Sequence, residues 1–310
     1  MSGPARTLST SRGELALGGP DGRVLIMGIV NATPDSFSDG GLAQTLEARV
    51  ELARSLLADG ADLIDIGGES GVTNRPPISA EEEIERVVGL IEAVAGGLGA
   101  RVSVDTYKPA VARAAIAAGA SIVNDVSGLR DPELADVCAE TGAALVVMHT
   151  IAPPKTRHHD PSLDHRIVGE VERFLAERIE LATSRGMAFE QLMVDPGPDF
   201  SKTPAQTIAV LRALPALHGL GRPILLAASR KDFVGALTRR PPRSRLAGTL
   251  AAVGHGMATG AHVLRVHDVA ETADFITVAT ALGGEGEVDP GLRVPDTLRW
   301  EQSLSDPAAR

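Results

Sequence analysis

The chain has 310 residues, 44% of them hydrophobic and 23% charged, with a formal net charge of −10, a balance that fits one or two globular domains and disfavours nucleic acid as a partner. A single cysteine, Cys138, excludes both an intrachain disulfide and a thiolate metal site, so a reducing compartment, the cytoplasm, is expected. The first twenty residues lack the apolar core of a signal peptide, and no apolar run approaches the length of a membrane span, so no membrane association is expected.

Only eight residues are aromatic, which leaves Ala, Val, Leu and Ile to build the core. That composition suits helices packed on buried parallel strands. Residues 1–22, rich in Gly, Ser and Pro, read as an N-terminal extension. Eight short apolar runs follow in order: VLIMGIV (24–30), DLIDI (62–66), RVSV (101–104), SIVN (121–124), ALVVM (144–148), QLMV (191–194), PILLA (223–227) and HVLRV (262–266). Each is followed by an amphipathic or alanine-rich stretch long enough for a helix, the mark of repeated strand–helix units. Helix starts are signalled by Ser79-Ala80-Glu81-Glu82, Asp131-Pro132 and Thr203-Pro204. Gly60, Gly119, Gly142, Gly186 and Gly260 each stand a few residues before a strand, as helix C-caps do. Eight units predict a single-domain (β/α)8 TIM barrel over 23–283, with an open doubly wound sheet as the alternative. Residues 284–310 read as a C-terminal extension.

In such a barrel, function gathers where the strands end. Those positions are polar throughout: Asn31; Gly67-Gly68-Glu69-Ser70; Asp105; Asn124-Asp125; His149; Asp195; Ser229-Arg230-Lys231; and Arg265 with His267. Asp105, Asn124, Asp195 and Lys231 combine acceptors and donors suited to a flat heterocycle with amino and ring N–H groups. A carboxylate pairs with the amidine-like edge of a pterin or a guanine. Arg265, His267 and Asn31 supply a donor fork, an imidazole and a neutral oxygen ligand, which suit a diphosphate with Mg²⁺. The histidines of the segment 155–165 read as solvated loop residues, and Cys138 as a small core residue. His149 reads equally as a mouth-lining or a structural residue.

The segments MGIVNATPDSFSDGG (27–41), GADLIDIGGES (60–70), SVDTYKPAVARAA (103–115), NDVSGL (124–129), DPGPDFSKT (195–203), SRKDFVG (229–235) and RVHDV (265–269) together resemble the pterin-binding barrels, specifically the dihydropteroate synthase family. The resemblance implies a homodimeric transferase of folate biosynthesis that joins 6-hydroxymethyl-7,8-dihydropterin diphosphate to p-aminobenzoate. Carried over residue by residue, it implies that Asp105, Asn124, Met148, Asp195 and Lys231 hold the pterin. It assigns diphosphate to Asn31, Arg75, Arg265 and His267, with Asn31 on Mg²⁺. Phe37, Thr73, Pro76, Phe200 and Ser229 are the implied p-aminobenzoate residues. Asp105, Lys231, Arg265 and His267 are the implied catalytic groups.

The chain departs from the family pattern in four places. The loop Ser70–Pro77 is about three residues longer than the usual form. Asp199 and Ser201 stand where glycines are expected, which argues against a left-handed backbone there. Ala227 replaces a glycine, and the asparagine usual shortly after the Lys202 position is absent. These changes motivate one alternative, a non-catalytic paralogue that binds a pterin-like ligand; the same-fold rival, a methyltransferase using a reduced folate, is disfavoured because NATPDSFSDGG and RVHDV form a diphosphate-handling set that such an enzyme would not need.

Overall fold

The computed structural model describes residues 6–17, 23–33, 45–71, 73, 75–284 and 288–300. Eight strands form one parallel sheet: β3 (Leu25–Asn31), β4 (Leu63–Gly67), β5 (Val102–Asp105), β6 (Ile122–Asp125), β7 (Ala144–Met148), β8 (Leu192–Asp195), β9 (Leu225–Leu226) and β10 (Val263–Val266). Pairing runs in the order β8-β7-β6-β5-β4-β3-β10-β9. A bridge between Val194 and Ile224 joins the two ends, with Val194 N donating to Pro223 O at 2.9 Å. That contact closes the barrel, so the open-sheet alternative fails. The nine α-helices among the described residues cover the outside: α1 (Leu46–Ala58), α2 (Ala80–Glu92), α3 (Pro109–Ala117), α4 (Glu133–Thr141), α5 (Ile167–Ser184), α6 (Pro204–Arg212), α7 (Asp232–Thr238), α8 (Leu246–Ala258) and α9 (Val269–Gly283). No helix among them is long and apolar enough to cross a membrane.

The signals that predicted helix ends operate as expected. Ser79 and Thr203 accept from the amides of Glu82 and Gln206, and Gln206 returns the bond to Thr203 N at 2.9 Å. The Asp131-Pro132 signal is displaced by one residue, since α4 begins at Glu133, whose amide donates to Asp131. All five C-cap glycines have positive φ.

Alternation along the strands sorts side chains into two cores. Ile64, Ile66, Val102, Val104, Leu145 and Val147 face outward to the helices. Leu25, Met27, Leu63, Ile122, Val146 and Met193 face inward and fill the lower barrel. Residues 6–17 correct the sequence reading, which placed 1–22 outside the barrel as an extension. They form a hairpin of β1 (Arg6–Thr10) and β2 (Gly13–Leu17), whose Leu8 and Leu17 join the inward-facing core and close its floor. Arg12 and Arg101 secure the hairpin by bonds to Ala100 O at 2.9 Å and Glu14 O at 3.0 Å. Beyond α9, residues 288–300 lie exposed, with Trp300 89% accessible.

Candidate active site

The same alternation that fills the floor with apolar groups makes the upper inward positions polar. Strand register aligns Asn31 with Gly67, Gly67 with Asp105, and Asp105 with Asn124, while Met148 aligns with Asp195. Ion pairing then draws in Arg265 from β10. Its Nε donates to Asp65 at 2.6 Å and its Nη2 to Asp105 at 2.8 Å, so one guanidinium bridges two carboxylates. Burial pushes the Asp105 carboxyl up to about 7, with Arg265 opposing and Asp65 reinforcing the shift.

Asp65 escaped the strand-end survey because it lies inside β4, two residues before the end. It is fully buried, and Asn124 also donates to it, at 3.2 Å. The available signal was a carboxylate within the apolar run DLIDI, since a buried strand tolerates a charge only where a partner waits.

Asp195 is held by Gly197 N, which donates to its Oδ1 at 2.7 Å. Burial raises its carboxyl, opposed by that amide and by Lys231. Lys231 stands 4.4 Å over the Phe200 ring. Burial lowers its ammonium, while Asp199 and Asp195 pull the other way. These contacts unite Asp195, Lys231 and Phe200 on one side of the mouth.

On the other side, Ser229 and His267 pair at 3.0 Å between Oγ and Nδ1. His267 N donates to the same Oγ at 3.3 Å; with the hydroxyl proton turned to Nδ1, the neutral imidazole would carry its proton on Nε2. Burial, then Arg230 and Arg265, push His267 down to about 3, which leaves it neutral at physiological pH. Arg230 itself pairs with Asp268 and so braces this corner.

The loop after β8 carries a correction. Asp199 and Ser201 adopt left-handed backbones, φ 66° and 52°, despite the missing glycines. Asp tolerates that region better than most residues. Its side chain also serves the fold: Oδ2 accepts from Asp232 N at 2.5 Å and Phe233 N at 3.3 Å, tying the loop to the start of α7. Beneath, the buried Lys202 donates to Gly197 O at 2.9 Å and Phe200 O at 3.2 Å and lies 2.7 Å from His149 Nδ1. Burial lowers Lys202 to about 7 and, with Lys202 beside it, His149 to about 2. His149 is wholly buried, so it is structural and does not line the mouth. Ala227 merges into the inward core.

Glu69 is likewise structural. It binds Lys108 at 2.6 Å, Tyr107 Oη at 3.1 Å and Lys155 at 3.3 Å, which pins the loop between β4 and α2. Thr73 and Pro76 stand exposed on that loop, with Arg75 partly buried. Phe37 lies outside the described residues. His158, His159 and His165 are exposed, and Cys138 is buried with its thiol pushed up to about 12.

Comparison with known proteins identifies the family to which this fold belongs. Dihydropteroate synthase of Bacillus subtilis is 40% identical over 270 residues, covering 87% of this chain and 92% of that protein. The structure of Xanthomonas albilineans dihydropteroate synthase with 4-aminobenzoic acid superposes with a TM-score of 0.81 at 43% identity, covering 90% of this chain and 98% of that one. The same organism's enzyme in complex with 7,8-dihydropteroate gives 0.76 at 44% identity, with coverage of 87% and 96%. The family model described as pterin binding enzyme matches residues 27–267, which takes in the whole closed barrel sheet except the first two residues of β3, and the chain belongs to that family.

Proposed function

We propose that the chain is a dihydropteroate synthase, condensing 6-hydroxymethyl-7,8-dihydropterin diphosphate with p-aminobenzoate to give 7,8-dihydropteroate and diphosphate. The carrying observation is the meeting of Asp105 and Arg265 at the barrel mouth, with Asn124 bonded to the same Asp65 that holds Arg265. Asn124, Asp195 and Lys231 would hold the pterin edge, with Met148 against its face. Breaking the C–O bond leaves positive charge on the pterin-methyl carbon and adds negative charge to the departing diphosphate. Asp105 stabilises the cation, while Arg265 and the Nε2–H of His267 hold the anion. The aniline nitrogen attacks the methyl carbon and then loses a proton, so no protein nucleophile is required. Phe200 and Ser229, with the loop bearing Thr73, Arg75 and Pro76, would orient that amine, and orientation supplies much of the acceleration.

Among the described residues no group of three or more His, Cys, Asp or Glu side chains is arranged to hold a metal. A single amide oxygen, that of Asn31, fits an Mg²⁺ held chiefly by substrate phosphates, where the ion would offset the charge of the leaving group. A homodimer and a cytoplasmic location belong to the same proposal.

The test is diphosphate release from the pterin diphosphate, with and without p-aminobenzoate. Release that depends on the amine is expected, with Asp105→Ala reducing turnover by about two orders of magnitude or more and His159→Ala leaving it unchanged. No release at saturating substrates would overturn the proposal. Pterin binding without turnover would select the non-catalytic paralogue.

A further inference from the structure

Asp65 is an expensive residue to keep. Its carboxylate is fully buried inside the barrel, and its Oδ1 has no hydrogen-bond partner. The inward neighbour in register, Ser103, is equally buried with an unpartnered Oγ. A buried charge with one unsatisfied oxygen costs stability, so its retention calls for a compensating role. The other oxygen, Oδ2, accepts from Arg265 Nε at 2.6 Å and from Asn124 Nδ2 at 3.2 Å. Those two residues come from β10 and β6, on different sides of the barrel.

A carboxylate oxygen only accepts. The end of the Asn124 amide that faces Asp65 must therefore be the amino group, which directs the amide oxygen away from Asp65. We infer that Asp65 is a positioning residue that fixes the amide orientation of Asn124, so that the site presents an acceptor to an N–H of the bound heterocycle. The same carboxylate holds the Nε edge of Arg265, which aims the guanidinium's remaining edge at Asp105. Asp65 thus sets the hydrogen-bond polarity of the site without touching the ligand. This inference rests on the pterin reading of the site given above.

The substitution Asp65→Asn keeps the volume but offers Asn124 either a donor or an acceptor, so the amide loses its fixed sense. Calorimetric binding of 6-hydroxymethylpterin, alongside steady-state kinetics, reads the effect. Expected is a pterin affinity at least about tenfold weaker, and a KM for pterin diphosphate raised in proportion, with the KM for p-aminobenzoate changed less than about twofold. The double variant Asp65→Asn, Asn124→Ala should bind no worse than Asn124→Ala alone, because the first change acts through the second residue. Additive losses, or equal rises in both KM values, would overturn the inference in favour of a merely structural role.

Asn124→Asp provides a readout that does not need the Asp65 variant to fold. A carboxylate at 124 presents an acceptor whichever way it turns, so this variant should bind pterin at least about tenfold more tightly than Asn124→Ala. Equal losses in Asn124→Asp and Asn124→Ala would overturn the inference. Wild-type protein that bound no pterin would overturn the site reading and this inference together, whereas wild-type binding matched by Asp65→Asn would overturn the inference alone.

Discussion

Replacing Arg265 by lysine keeps the charge but removes the fork. The arginine reaches Asp65 with Nε and Asp105 with Nη2, at 2.6 and 2.8 Å, in a site where Asp65 is 0% and Asp105 21% exposed. A single ammonium can serve one of these carboxylates with comparable geometry, which leaves the other buried without its counter-ion. Breaking a buried pair in this way costs about 3–5 kcal/mol. Protonation limits the damage. Neutralising a carboxyl of ordinary pKa at pH 7 takes about three pH units at ~1.4 kcal/mol each, so the loss should not exceed about 4 kcal/mol. The unpaired carboxyl has its pKa raised in the folded state. Folding therefore takes up a proton, and the penalty shrinks as pH falls toward 5, by up to ~1.4 kcal/mol per unit. Chemical unfolding of wild type and Arg265→Lys at pH 7 and pH 5 measures both quantities. A difference below 1 kcal/mol at pH 7, or a gap that widens at pH 5, would refute the account of a shared guanidinium.

Asp195→Asn keeps an acceptor for Gly197 N but turns an amino group on a ligand that offers N–H donors. Pterin affinity should fall about 100-fold or more by titration calorimetry, through the loss of charge-assisted bonds. Leu8→Ala opens a cavity in the barrel floor, where Leu8 is 0% exposed. It should cost about 2–4 kcal/mol in denaturant unfolding while leaving the KM for both substrates within about twofold, because the floor lies beneath the polar layer. His267 and His149 are held neutral, at about 3 and about 2. The unfolded chain takes up their protons first as pH falls below about 6.5, so stability should be full above that value and fall at about 1.4 kcal/mol per unit per histidine toward pH 4. His267→Gln should flatten that acid limb in urea titrations across pH 4–7; an unchanged slope would show that the imidazole does not stay neutral in the fold.

The barrel was legible because its period is written in apolar runs and in the glycines before them. The polar mouth was legible because strand ends can be counted off those runs. Asp65 was hidden by the same rule, since a survey of residues after each strand passes over an inward position within one. The hairpin was hidden for a different reason. Leu8, Leu15 and Leu17 are too few to mark a strand pair, and their burial depends on a floor built from strands far along the chain. Asp199 and Ser201 show where residue preference misleads. Contacts from Lys202, Thr207 and the α7 amides determine that loop's backbone, and a single-residue preference against positive φ is small beside them.

The floor hairpin also has a consequence for how the chain reaches this shape. Leu8 and Leu17 pack in one cluster with Met193, Leu225 and Val263, close to 200 residues or more further on. The segment that leaves the ribosome before any barrel strand is thus among the last to find its native neighbours, because its seat does not exist until β8, β9 and β10 have joined the sheet. Contacts that span such distances in the chain carry a high loop-closure cost and form slowly. Hairpin docking is accordingly expected to follow closure of the sheet. Until the hairpin docks, the apolar lower end of the barrel lacks the cover that Leu8 and Leu17 provide.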